Sequence, residues 1–233
     1  MSSFRFKQFE IQHNRSSMKV GTDAVSLGAW AAAENVSRIL DIGCGCGVIS
    51  LMLAQRTDAQ IVGVDIDCPS VEEAAWNAEN SAWGNRIVFY CTNIQQFCEE
   101  KNKNAFDLIV SNPPFFVNSL KSPIDSKNRS RHADMLSFND LVNAALYCLS
   151  ENGSFAVILP YIYGEQMENL CYQNQLFCYR KLRIFPKEGK NANRVLLQFK
   201  RKQEPLHLQN LTIQNANGSY TDVYKKLTKD FYL

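Results

Sequence analysis

The sequence predicts a doubly wound α/β fold, with a mostly parallel sheet of seven strands covered by helices on both faces. Three observations carry this expectation. Short β-rich strings alternate with helical segments along most of the chain, the pattern of a parallel sheet built by crossovers. The first strand runs into a helix through a loop with alternate glycines, Gly43-Cys44-Gly45-Cys46-Gly47. The last two strands are separated only by residues 186–193. That is too short for a parallel crossover and makes the pair an antiparallel C-terminal hairpin at one sheet edge.

In chain order, Arg38–Ile42 reads as the first strand and Val48–Arg56 as its helix. Gln60–Asp65 is the second strand, followed by a helix over 70–80 with Ser70 as N-cap and the acids Glu72 and Glu73 in its first turn. A third strand covers 86–91 and a short helix 94–99; Phe106–Ser111 is the fourth strand. A helix over 138–149, a fifth strand over 153–160 and a helix at Gly164–Gln173 follow. Strands at 177–185 and Arg194–Lys200 form the hairpin. Residues 1–37 read as a helical N-terminal extension, and 202–233 as a strand-poor tail packed on the domain. The whole of 1–233 is then a single domain.

Composition narrows the class. Of 233 residues, 45% are hydrophobic and 21% charged, enough apolar content for a sizeable core. No run approaches the roughly 18 apolar residues of a membrane span, and the opening Met1-Ser2-Ser3-Phe4-Arg5 does not resemble a secretory signal. Eight cysteines without a C-x-x-C pair read as reduced, mostly buried thiols of a cytoplasmic protein. Net charge is +2, yet residues 176–233 hold twelve lysines and arginines against four acids. Such asymmetry fits contact with a polyanion as well as it fits a solvated basic surface.

The glycine loop carries the first chemistry. Alternate glycines permit positive φ and let backbone N–H groups approach a ligand. Asp65, at the end of the next strand, is placed to hold the hydroxyls of an adenosine ribose. Ile66 can cover one face of the base. Asp41, two residues before the first glycine, would repel a pyrophosphate but attract the ammonium and sulfonium of S-adenosylmethionine. The spacing Gly-x-Gly-x-Gly with these acids resembles that of the class I methyltransferases. That resemblance implies S-adenosylmethionine as cofactor, held by Asp41, Gly43, Cys44, Gly45, Gly47, Asp65 and Ile66. It also implies that Asn93, after the third strand, bonds the adenine amino group. Read by itself, Asn93 also serves as a cap for the helix that follows.

Asn112-Pro113-Pro114-Phe115 follows the fourth strand, so a parallel sheet should turn it toward the same crevice. An exocyclic amine of adenine shares its lone pair with the ring and is a poor nucleophile. Two acceptors, the Asn112 amide oxygen and the Pro113 carbonyl, would draw its N–H groups and free that lone pair. The prolines stiffen the residues before them and Phe115 offers a stacking surface. The tetrad occurs in methyltransferases acting on planar nitrogens: adenine N6, guanine N2 of ribosomal RNA, or a protein glutamine amide. It does not choose among these polymers.

Further strings narrow the resemblance. Met18-Lys-Val-Gly-Thr-Asp-Ala24, Leu27-Gly-Ala-Trp30, Arg131-His132-Ala133 and Lys229-Asp-Phe-Tyr-Leu233 together resemble the tRNA1(Val) (adenine(37)-N6)-methyltransferases over essentially the whole chain. This implies methylation of the adenosine beside the anticodon of a valine tRNA, with Lys19, Thr22 and Asp23 lining the donor pocket. Basic residues after the tetrad, Lys121, Lys127, Arg129 and Arg131, and at the hairpin, Lys187, Lys190 and Arg194, are the candidate RNA contacts. Unpaired anticodon-loop bases suit such a surface. No metal is expected: Cys44-x-Cys46 lacks a second pair or a histidine to complete four ligands. A monomer without membrane attachment completes the expectation.

Overall fold

The computed structural model describes residues 3–16, 18–114 and 136–232. A small antiparallel pair, β1 (Ser3–Arg5) and β2 (Glu10–Gln12), precedes helix α1 (Thr22–Trp30). The central units are β3 (Arg38–Ile42), α2 (Val48–Arg56), β4 (Gln60–Asp65), α3 (Cys68–Glu79), β5 (Ile87–Cys91), α4 (Ile94–Phe97) and β6 (Phe106–Ser111). Then come α5 (Phe138–Cys148), β7 (Leu149–Pro160), α6 (Gly164–Gln173), β8 (Phe177–Lys187), β9 (Arg194–Lys200), β10 (His207–Gln214) and α7 (Asp222–Thr228).

The main sheet has eight strands in the order β10-β8-β9-β7-β6-β3-β4-β5, with β9 antiparallel to both its neighbours and the other pairings parallel. Successive strand residues feed opposite cores, as period-two geometry requires. Ile39, Leu108 and Val110 pack with α1 and α2 on one face, whereas Leu40, Ile42 and Ile109 pack with α4, α5 and α6 on the other. Burial on both faces is why these strands read as nearly continuous apolar runs.

Four expectations are corrected. The hairpin is not the sheet edge: β8 pairs in parallel with β10, so the sheet has eight strands and the tail is not strand-poor. Leu211 alone is buried along β10, and a half-exposed outer strand leaves little alternation to read. Residues 1–37 are not helical alone: the strand pair β1–β2 precedes α1, and three-residue strands carry too little pattern to announce themselves. The helix over 70–80 begins earlier, at Cys68, with Asp67 as N-cap. Ser70 lies inside it and donates its hydroxyl to Asp67. Finally, not all the cysteines are thiols, because Cys68 and Cys91 form a disulfide. The start of α3 and the end of β5 bring their Cα atoms to 5.0 Å, a proximity invisible in a separation of 23 residues.

Candidate active site

At the carboxyl ends of β3, β4, β5 and β6 the sheet opens into a cleft of about 1230 Å³. Its floor is the loop after β3. Gly43, Gly45 and Gly47 all have positive φ, at 73°, 51° and 81°, a region costly for residues with a Cβ. The Gly43 and Cys44 N–H groups donate to the Val64 carbonyl at 2.8 and 3.1 Å, fastening the loop to β4. A Cβ on Gly43 would meet nothing within 4 Å: the glycine borders open space, as a ligand cradle requires.

Asp65, at the end of β4, accepts the Gly45 N–H on Oδ2 at 2.9 Å and the Asp67 N–H on Oδ1 at 3.0 Å. Each oxygen keeps lone-pair capacity after one such bond, so the carboxylate is oriented toward the cleft without being consumed. Ile66 is 55% exposed beside it. Asn93 lines the same wall, and its side-chain oxygen accepts the Gln96 N–H at 2.7 Å as the N-cap of α4.

Asp41 is placed differently from its expected role. It is fully buried behind the loop and absent from the cleft wall, with Oδ2 accepting the Ser50 hydroxyl at 2.7 Å and Oδ1 without a partner. Burial pushes its carboxyl up to about 7, against the pull of the Ser50 hydrogen bond and aided by the Asp65 charge. Gly47 also lies outside the wall, packed where a Cβ would meet the Phe89 ring at 2.9 Å. Cys44 and Cys46 do line the cleft; burial raises both thiols, that of Cys46 to about 12, so neither is a ready thiolate.

Opposite the glycine loop stands the end of β6. Ser111 donates its hydroxyl to the Ile42 carbonyl at 2.8 Å, tying β6 to β3. The next residue, Asn112, lines the cleft, and its Oδ1 is buried without a hydrogen-bond partner. An unsatisfied buried acceptor is costly and calls for an explanation, and this one belongs to a residue of the cleft wall. Pro114 also borders the cleft, while Pro113 is buried and outside its wall. Phe115 and the basic residues Lys121, Lys127, Arg129 and Arg131, with His132 and Ala133, lie outside the described residues.

Three further elements close the site, the first of them expected from the resemblance and the other two not. Thr22 and Asp23, at the start of α1, reach the wall together with Lys19. Arg194, expected at an RNA surface, lines the cleft and donates from Nε to Asp23 Oδ2 at 2.8 Å, so its charge is compensated. Asp140 joins the wall from α5. It also belongs to a capping box with Ser137. Lys187 and Lys190 flank the turn between β8 and β9 on the same carboxyl-end rim, Lys190 exposed and Lys187 half-buried.

Among the described residues no group of three or more His, Cys, Asp or Glu is placed to hold a metal, and no helix is long and apolar enough to cross a membrane. A family model described as a methyltransferase domain matches residues 34–210. A solved predicted O-methyltransferase from Agrobacterium tumefaciens has the same fold, with TM-score 0.72 at 18% identity over 90% of this chain and 96% of that one. TYW2 of P. horikoshii, solved with MeSAdo, has TM-score 0.60 at 11% identity over 86% and 72%. At such identities these structures speak for the fold alone. Relatives in sequence are far nearer. A tRNA1(Val) (adenine(37)-N6)-methyltransferase of Haemophilus influenzae is 41% identical over 235 residues, covering 100% of this chain and 99% of its own. Those of Phocaeicola vulgatus and Bacteroides fragilis are 43% and 39% identical over 230 residues, each covering 99% of this chain and 97% of the relative. By similarity over its full length, this chain belongs to the tRNA1(Val) (adenine(37)-N6)-methyltransferase family.

Proposed function

We propose that the protein methylates the exocyclic N6 of the adenosine at position 37 in a valine tRNA, with S-adenosylmethionine as donor. The single observation that carries the chemistry is that Asn112, whose Oδ1 has no hydrogen-bond partner, lines the same cleft as the glycine loop.

The residues present fit the donor. Gly43 borders open space where a side chain would otherwise stand, Asp65 is braced to take ribose hydroxyls, and Ile66 presents an apolar face for the base. With Asp23 paired to Arg194, the acids Asp65, Asp67 and Asp140 against Lys19 leave the wall net acidic, which suits a cationic ligand. When bound, S-adenosylmethionine supplies a methyl group on a positively charged sulfur and leaves as the neutral thioether.

The chain's own part is positioning. Asn112 Oδ1 accepts one N–H group of the target amine; the Pro113 carbonyl, whose residue is packed just behind the wall, is the acceptor for the other once the amine is seated. Drawing those protons out of the ring plane loosens the lone pair from the aromatic system and aims it across the cleft. The developing positive charge on nitrogen strengthens both hydrogen bonds, so they stabilise the transition state more than the ground state. After transfer the nitrogen loses its extra proton to water, and no side-chain base is required.

The RNA reading is supported by Lys187 and Lys190 on the rim that carries the cleft. With tRNA as substrate, the protein works in the cytoplasm. Incubation with donor labelled at the methyl group tests the reading directly. We expect label that nuclease releases as N6-methyladenosine, identified by mass spectrometry. Label released by protease, or as N2-methylguanosine, would overturn it.

A further inference from the structure

Directly after β7, at the carboxyl end of the sheet where the cleft opens, stands a single 3-10 turn, Tyr161–Tyr163. Two contacts fix its place. The Tyr161 N–H donates to the Asn193 carbonyl at 3.0 Å, and Pro160 pairs with Arg194, whose side chain is in the cleft wall. On the other side the Tyr163 ring meets Phe138 edge-on at 5.9 Å, two residues before the wall residue Asp140. The turn is therefore held between two walls of the active site, yet it presents apolar side chains outward: Ile162 is 74% exposed and Tyr161 39%. Lys187 and Lys190 lie at the β8–β9 turn on the same end of the sheet, one strand removed from β7.

We propose that Tyr161 and Ile162 form a stacking shelf for an unpaired base next to the target adenosine. The inference rests on the RNA substrate proposed above. An adenosine drawn into the cleft leaves its neighbours in the loop with exposed faces, and aromatic or apolar side chains beside cationic ones are the surface on which such bases rest. The turn adjoins the cleft through Pro160, which pairs with the wall residue Arg194, and the lysines at the same end of the sheet complement the phosphates of the RNA loop. A rigid turn between two packed walls holds the shelf in register with Asn112, so the shelf contributes to choosing which adenosine enters.

The test measures binding of the full-length protein to a synthetic anticodon stem-loop by fluorescence anisotropy, with S-adenosylhomocysteine binding followed by calorimetry. Tyr161→Ala and Ile162→Ser should each weaken RNA binding about fivefold or more, the range of one lost base stack. The slope of log affinity against log salt and the S-adenosylhomocysteine affinity should stay unchanged. Tyr172→Ala, an exposed tyrosine near the opposite end of α6, should bind RNA like the wild type. Stem-loops made abasic on either side of the target adenosine supply a second readout. One of them should bind the wild type more weakly and the Tyr161→Ala variant no worse than intact RNA. Wild-type affinity in both variants, or equal losses on abasic RNA in wild type and variant, would overturn the shelf. A wild-type protein that binds no RNA would overturn the substrate reading and the shelf with it.

Discussion

Asn112 shows how much of a site can rest on one atom. The sequence identifies the residue through its tetrad, but the unpartnered Oδ1 emerges only when β6 ends beside the glycine loop. Asn112→Ala should lower the transfer rate by roughly 100-fold or more, the scale seen when one preorganised hydrogen-bonding group is lost. Calorimetry should show S-adenosylhomocysteine still bound; activity near wild type would refute the clamp. Asp41 supplies a pH signature. Its folded carboxyl titrates at about 7, against about 3.9 in an unfolded chain. The folded state thus holds this proton more tightly. The resulting stability is fully present below about pH 4 and is lost as pH rises through 7, amounting to a few kcal/mol. Urea denaturation of the donor-free protein across that range should show the decline, and Asp41→Asn should flatten it.

At the scale of elements, α3 organises more than its amphipathic pattern suggests. Glu73, buried at 5% exposure, accepts the N–H groups of Asn14 and Arg15 on Oε1 and of Ser16 on Oε2. Asn77, one turn on, donates to the carbonyls of Gln12 and Cys46 and accepts the Gln12 N–H. Together they sew the N-terminal strand pair to the glycine loop. From sequence, Glu73 is a first-turn acid; the earlier start of the helix moves it one turn in and points it at another chain segment. Glu73→Ala removes an ionised acceptor from three N–H groups and should cost about 2–4 kcal/mol of unfolding free energy, measured by chemical denaturation. A loss below about 0.5 kcal/mol, the usual range for a surface change, would show the contact to be incidental.

Across the whole molecule, charge and sheet direction work together. The parallel strands and β8 all end on one rim, which therefore collects the glycine loop, Asn112, the Tyr161–Tyr163 turn and the lysines of the β8–β9 turn. RNA binding should weaken steeply with salt as phosphates are neutralised. Lys187→Ala and Lys190→Ala should each reduce the log–log salt slope by about 1, measured by anisotropy titrations at several ionic strengths. Arg194→Ala should act differently. Its partner Asp23 sits in the cleft wall, so donor affinity should fall with little change in salt slope.

Read alone, the chain determined whatever repeats over a few residues. The inner strands were legible because burial on both faces demands unbroken apolar runs, and the glycine loop because only glycine tolerates three positive-φ positions in five residues. Tertiary structure decided whatever joins distant segments. Asp23 meets Arg194 across 171 positions, Cys68 finds Cys91, and β10 joins β8 with one fully buried residue to mark it. No local period encodes such meetings, because each depends on where a strand lies in the sheet order and on which of its ends faces the cleft.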